Sequence, residues 1–134
     1  MAVFTSFNII ANNFLPLNVA LCFYRAMKKF KIPHNEILPM AIGYGSCLAT
    51  NRITVDGLPV GYMYREESDI KHHNGWIFMS GDETHDYADN EDNWNYYDTN
   101  TIANYDPDIT AFIESPIGSY FERDSGGQFV KVTE

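Results

Sequence analysis

Basic residues are scarce in this chain of 134 residues: nine Lys and Arg stand against eighteen Asp and Glu, a formal net charge of −9. Nucleic-acid binding needs Lys and Arg to meet phosphates, and anionic membrane surfaces draw the same side chains, so the charge argues against both partners. Cysteine is scarcer still. Cys22 and Cys47 form no CxxC pair, and two cysteines make no disulfide framework. Both are expected as buried thiols of a cytoplasmic protein. No stretch approaches the ~18 uninterrupted apolar residues of a membrane span. The apolar residues 1–14 lack the positively charged start of a signal peptide. A G-x-S-x-G elbow is missing, and so is a glycine-rich phosphate cradle, because Gly43-Tyr44-Gly45 precedes a strand pattern rather than a helix.

What is present is a globular composition. Hydrophobic residues make up 45% and aromatics 15%, which excludes a wholly disordered chain. The length suits one domain with a real core. Charge is unevenly spread: residues 1–41 hold four basic groups against one acidic, and the rest of the chain holds five against seventeen. Residues 82–108 carry nine carboxylates and no Lys or Arg.

Periodicity predicts the elements. After Pro16, the residues Val19, Cys22, Phe23, Ala26 and Phe30 recur at helical spacing until Pro33. A short helical turn is expected from Asn35. Small and β-branched residues over 46–55 read as a strand, and Asp56-Gly57 reads as the turn of a hairpin into the alternating Val60, Tyr62 and Tyr64. Trp76 belongs to a short apolar strand that ends at Ser80 and is expected in the core. Residues 81–100, rich in Asp and Asn, read as an irregular loop with Thr99 or Asn100 capping a helical turn. Asp106 is expected to cap a short helix near 107–114 with Pro107 at its first position, placing Ile109, Phe112 and Ile113 against the core. A terminal hairpin is expected to pair Arg123 with Gln128 and Phe121 with Val130. The predicted fold class is α+β: an antiparallel sheet of about five strands with an N-terminal helix and the short helix near 107–114. In domain terms, residues 1–41 form a helical extension packed on a domain of residues 42–134.

Candidate chemistry follows from residue types. Adjacent His72 and His73 point apart in an extended segment, so a zinc site would take one of them with His85 and an Asp, and ordinary loop histidines are the simpler reading. Asp89, Glu91, Asp92 and Asn93 supply oxygen ligands for calcium, but without the glycine and glutamate positions of an EF-hand loop. Ser46 and Cys47 lack an identifiable activating base. Cofactors are therefore expected to be none. Binding is better supported: the carboxylates Asp82, Glu83, Asp86, Asp89, Glu91 and Asp92, with the aromatic side chains Trp94 and Tyr96, suit capture of a basic protein surface. The alternative is that Tyr96 and Tyr97 pack on the sheet while the acids only solubilise the fold.

A resemblance sharpens this reading. Residues 45–57 (GSCLATNRITVDG) are followed by Val60-Gly61-Tyr62-Met63-Tyr64-Arg65-Glu66-Glu67, then Gly75-Trp76 and Ser80-Gly81-Asp82-Glu83. Further on come Asn100-Thr101-Ile102-Ala103-Asn104-Tyr105-Asp106-Pro107-Asp108-Ile109, Pro116-Ile117-Gly118-Ser119 and Phe121-Glu122-Arg123. Together these blocks, over about residues 42–132, resemble the bacterial domain of unknown function 2185, grouped with polymorphic-toxin immunity proteins as immunity family thirty-three. The resemblance implies a cytosolic, non-enzymatic inhibitor of a cognate toxin, and brings no catalytic residues. Two other readings stand beside it: a small metal-dependent hydrolase using the acidic loop, and a regulatory or structural module that assembles, or pairs as a homodimer, through its N-terminal region.

Overall fold

Short side chains that pack closely on one side suit Ser46–Thr50 to the interior of a sheet, and in the computed structural model this segment is strand β1. Residues 28–133 are described. The strand does not run on to Val55. Asn51–Thr54 instead form one helical turn, α1. Gly57, at φ +80°, closes it by bonding its N–H to the Ile53 carbonyl at 3.1 Å. The Asp56-Gly57 signal is thus a real turn, but it ends a helix rather than joining two paired strands.

That difference sets the topology. Strand β2 (Tyr62–Arg65) arrives one place away from β1, and β3 (His73–Met79) fills the gap. β3 pairs antiparallel with β2 and parallel with β1. Strand β4 (Trp94–Asp98) pairs with the other side of β1, β5 (Tyr120–Arg123) with β2, and β6 (Phe129–Lys131) with β5, all antiparallel. The order is β4-β1-β3-β2-β5-β6. The class is α+β as expected, but the sheet is mixed and six-stranded, not an antiparallel sheet of five.

The residues expected to form one long loop are also ordered. Thr84 caps the short helix α2 (His85–Asp89) by accepting the Tyr87 N–H. A 3₁₀ turn (Glu91–Asn93) follows, and then β4. Asp, Asn and Thr side chains make turns and caps there as expected, while so polar a segment carries no sign of the strand that pairs with β1. Asp98 caps the helix α3 (Thr99–Tyr105) by accepting the Asn100 N–H. Asp106 caps the next element, with Pro107 first in it, as predicted. That element is a 3₁₀ helix ending at Ala111 rather than an α-helix to 114.

The terminal hairpin is shifted by one residue from the predicted register. Phe121 faces Lys131, and Arg123 faces Phe129. The cause is Asp124, whose side chain accepts from the N–H groups of both Gly126 and Gln128 and draws Gln128 into the turn. Arg123 gains by this, since its guanidinium lies 4.0 Å over the Phe129 ring. The predicted N-terminal helix lies outside the described residues except for its last turn. Residues 28–32 carry no helix and are fastened instead to α1 and α3, with Lys31 N–H donating to the Thr54 carbonyl and Ile32 N–H to the Tyr105 hydroxyl. The expected turn beyond Pro33 is present as a 3₁₀ turn at His34–Glu36.

The core sits on one face of the sheet. Cys47, Ala49, Trp76, Phe78, Met63 and Phe121 project there and meet Ile53, Ile102, Ile109 and Ile113 from the helical elements. Trp76 stacks on Phe78 at 5.8 Å and donates its indole N–H to the Ile113 carbonyl at 2.9 Å. On the other face Ile77 is buried while standing apart from this core cluster.

Candidate partner-binding surface

The acidic segment divides into carboxylates that build the loop and carboxylates that face solvent. Glu83 belongs to the first kind. It accepts the Thr50 hydroxyl at 2.6 Å and the N–H groups of Ser80 and Gly81 at 2.9 Å each. Burial opposes its charge, but these hydrogen bonds outweigh it and hold its pKa below the usual value. Asp82 pairs with Arg52 and accepts the Ser80 hydroxyl. The Arg52 hydrogen bonds, then that of Ser80, pull its pKa down to about 2. Arg52 also reaches Asp56 at 2.8 Å, so one guanidinium ties α1 to the start of the acidic segment.

Asp86, Asp89, Glu91 and Asp92 are exposed on α2 and the 3₁₀ turn behind it. The backbone beneath them is well held: the Asp92 carbonyl accepts from Lys28 Nζ at 2.9 Å and Asn51 Nδ2 at 3.1 Å, and Asn93 donates to the Tyr87 carbonyl. Trp94 is half-buried and donates its indole N–H to the Ala88 carbonyl at 2.8 Å, so it props α2 rather than standing free as an anchor. Tyr96 is separated from this group. It lies two residues along β4, 52% exposed, with its ring edge-on to His73 at 5.3 Å. Tyr97 turns to the core side and shares a hydrogen bond with Thr54. The structure therefore leaves Asp86, Asp89, Glu91 and Asp92 exposed on one short segment, uses Asp82 and the half-buried Glu83 to hold the start of that segment, and places Tyr96 on the sheet.

Sequence reasoning passed over the aromatic row on that sheet face. Tyr62 and Tyr64 were legible as period-two positions, but the strand that brings Tyr120 beside them was not assigned to β2. Tyr64 stacks on Tyr120 at 5.3 Å and Tyr62 lies 5.6 Å from Tyr64.

The other candidate chemistries find no support in the geometry. Cys47 is fully buried, and burial pushes its thiol up to about 12, so it is held as the neutral thiol rather than as a nucleophile. Among the described residues, no three His, Cys, Asp or Glu side chains gather where they could hold a metal ion. His73 bonds its ring Nδ1 to the Ser46 carbonyl. Nor is any helix among these residues long and apolar enough to cross a membrane.

The profile of the immunity protein Imm33 domain matches residues 47–133, which take in nearly the whole sheet and the acidic segment. The chain belongs to the Imm33 family. No curated protein and no solved structure matches it. Within the Imm33 domain, the match begins inside β1 and ends just past β6, so the Arg52–Asp82 tie, the exposed carboxylates and the tyrosine row all fall inside it.

The two loop-building carboxylates are expected to make this Imm33 domain lose stability in acid. Their folded-state pKa values lie below their usual values of 3.8 and 4.5, so their contribution is present above those values. It is lost as pH falls from about 4.5 through about 2. Thermal melts between pH 6 and pH 2 are expected to fall less steeply for the double variant Asp82→Asn, Glu83→Gln than for the parent chain. Parallel slopes would show that the two groups do not set acid stability.

Proposed function

We propose that this domain is a non-enzymatic immunity protein that binds and neutralises a cognate toxin domain, or a similar basic protein, and that the exposed carboxylates of residues 86–92 steer the encounter. Family membership supplies the class of activity. The observation that carries the surface is the arrangement of Asp86, Asp89, Glu91 and Asp92 on a capped and hydrogen-bonded backbone, with no Lys or Arg anywhere in residues 82–108. A fixed concentration of like charge raises the association rate of a partner of opposite charge, and the effect weakens beyond the Debye length of about 8 Å at physiological salt. Asp82 and Glu83 act differently, by holding the loop in shape. Trp94 supports α2 from below.

The test uses a candidate toxin domain from the same genome and stopped-flow or surface-binding kinetics. The triple change Asp86→Lys, Asp89→Lys, Glu91→Lys is expected to slow association roughly tenfold or more at low salt, with a smaller effect at high salt. An association rate equal to that of the parent chain at low salt would overturn the steering role. A parent chain that neither binds nor neutralises that toxin domain would overturn the immunity reading itself.

A further inference from the structure

Residues 38–44 present large apolar side chains to solvent from a tightly held main chain. Every second residue, Leu38, Met40, Ile42 and Tyr44, is exposed, Leu38 by 62% and Ile42 by 68%, while Ala41 among them is buried. Two asparagines one turn apart on α3 grip the backbone beneath them. Asn100, itself buried, accepts the N–H groups of Met40 and Ala41 at 2.6 and 2.8 Å and donates to the Leu38 carbonyl at 2.9 Å. Asn104 accepts the Leu38 N–H at 2.9 Å and donates to the same carbonyl at 2.8 Å. At the other end the Tyr44 hydroxyl donates to Glu114 at 2.7 Å, and the Tyr44 carbonyl accepts from Asn74 at 3.0 Å. The amides thus fix the course of the chain without packing anything over its side chains. Single exposed apolar residues are ordinary, but four within seven residues on a fixed main chain form a contact ridge.

We infer that this ridge is a preformed plug that seats in an apolar cleft with a basic rim on a partner protein. Charge defines the rim. Neither residues 32–51 nor residues 99–122, which build the ridge and its support, include a Lys or Arg, and Glu36 and Glu114 stand exposed at its two ends. A second copy of the chain fits poorly, because it would set the same carboxylates and the same projecting side chains against their own likeness. A main chain already fixed has little freedom left to lose on binding, so the apolar area it buries lengthens the life of the complex. The ridge lies ahead of residues 47–133, which match the Imm33 profile, and its two asparagines lie within them, so the matched domain serves as its mount. The inference rests on the proposed function for the identity of the partner: the toxin domain supplies the cleft. In that scheme the carboxylates of residues 86–92 act on approach, and the ridge holds the bound partner.

The test uses the full chain, methyl-labelled, with a soluble nitroxide as probe, alone and with the candidate toxin domain. The expected result is strong attenuation of the Leu38, Met40 and Ile42 methyl resonances in the chain alone, and loss of that attenuation in the complex. Weak attenuation in the chain alone would assign the cover of the ridge to the chain itself or to a second copy, and overturns the inference. So does attenuation that persists in the complex. Binding kinetics then separate the two readings. The double variant Leu38→Ser, Ile42→Ser changes only exposed side chains and is expected to dissociate from the toxin domain roughly a hundredfold faster, with association altered less than about twofold. Val130→Ser, at an exposed apolar position on the edge strand β6, is expected to change neither rate. Equal dissociation rates for the parent chain and the double variant, or an equal rise in Val130→Ser, overturn the ridge and leave the immunity reading standing. A parent chain that binds no toxin domain, its ridge methyls still attenuated, overturns both together.

Discussion

Gly75→Ala is expected to destabilise the domain by about 3–5 kcal/mol and to lower its melting temperature by roughly 10 °C or more. Gly75 lies in the middle of β3 with φ +91°. A side chain there meets two separate penalties. The backbone conformation itself strains any L-residue by about 1–3 kcal/mol. In addition, a Cβ atom would stand 2.0 Å from the Glu66 carbonyl oxygen, which is main chain and has nowhere to swing. That carbonyl belongs to the residue whose own N–H bonds back to Gly75 at 3.0 Å, so moving it also breaks the bridge between the end of β2 and the start of β3. Gly43 supplies the control. It has φ +92° and nothing within 4 Å of an added Cβ, so Gly43→Ala incurs the conformational penalty alone. Urea unfolding of both variants separates the two penalties, and equal losses would show that the Glu66 contact yields without cost.

The second large effect belongs to Asp106. Its side chain is buried and serves three groups at once: it accepts the Val60 N–H at 2.9 Å and the Asp108 N–H at 3.2 Å, and it pairs with Arg123. Burial works against the Arg123 charge, but the hydrogen bonds to Asp106 and Asp108 outweigh it and raise its pKa. Asp106→Ala leaves the buried Val60 N–H without its acceptor, removes one of the two carboxylates that pair with Arg123, and removes the cap of the 3₁₀ helix. The expected loss is about 2–4 kcal/mol, from the unsatisfied Val60 N–H, the weakened ion pair and the lost cap together. Asp108 also meets Arg123, at 3.0 Å, but its side chain is 67% exposed. Asp108→Ala is therefore expected to cost about 1 kcal/mol or less. Chemical denaturation of the two variants would settle the comparison, and similar losses would mean that Asp106 acts only as another surface charge.

Local chemistry was legible in the residues. The Asp106 cap with Pro107 behind it, the burial of Ile109 and Ile113, Trp76 in the core and the short turn after Pro33 all follow from side chains acting on their neighbours. What escaped was pairing between distant segments. The Asp56-Gly57 pattern has the same backbone meaning at a helix end as in a hairpin, and only the position of β3 decides between them. Trp94–Asp98 is too polar to announce a strand, because it lies at the sheet edge and pairs through its main chain with β1. The hairpin register turned on a single side chain, Asp124, that could count its turn residues in two ways. The acidic segment was legible as charge, but which carboxylates were structural depended on Arg52 and Thr50, far from them in the chain, as well as on nearby Ser80. The tyrosine row needed β2 and β5, far apart in the chain, to be paired before it existed at all.

The strand order also governs when the sheet can form as the chain leaves the ribosome. β1 pairs only with β3 and β4, and β2 only with β3 and β5. A nascent chain ending before His73 thus holds two finished strands with no neighbour for either. Release of β3 supplies both at once, joining β2 across a short connection and β1 across a longer one. Sheet assembly is in this way delayed and then concentrated into the emergence of seven residues, His73–Met79, with the edges β4 and β6 added in the order of synthesis.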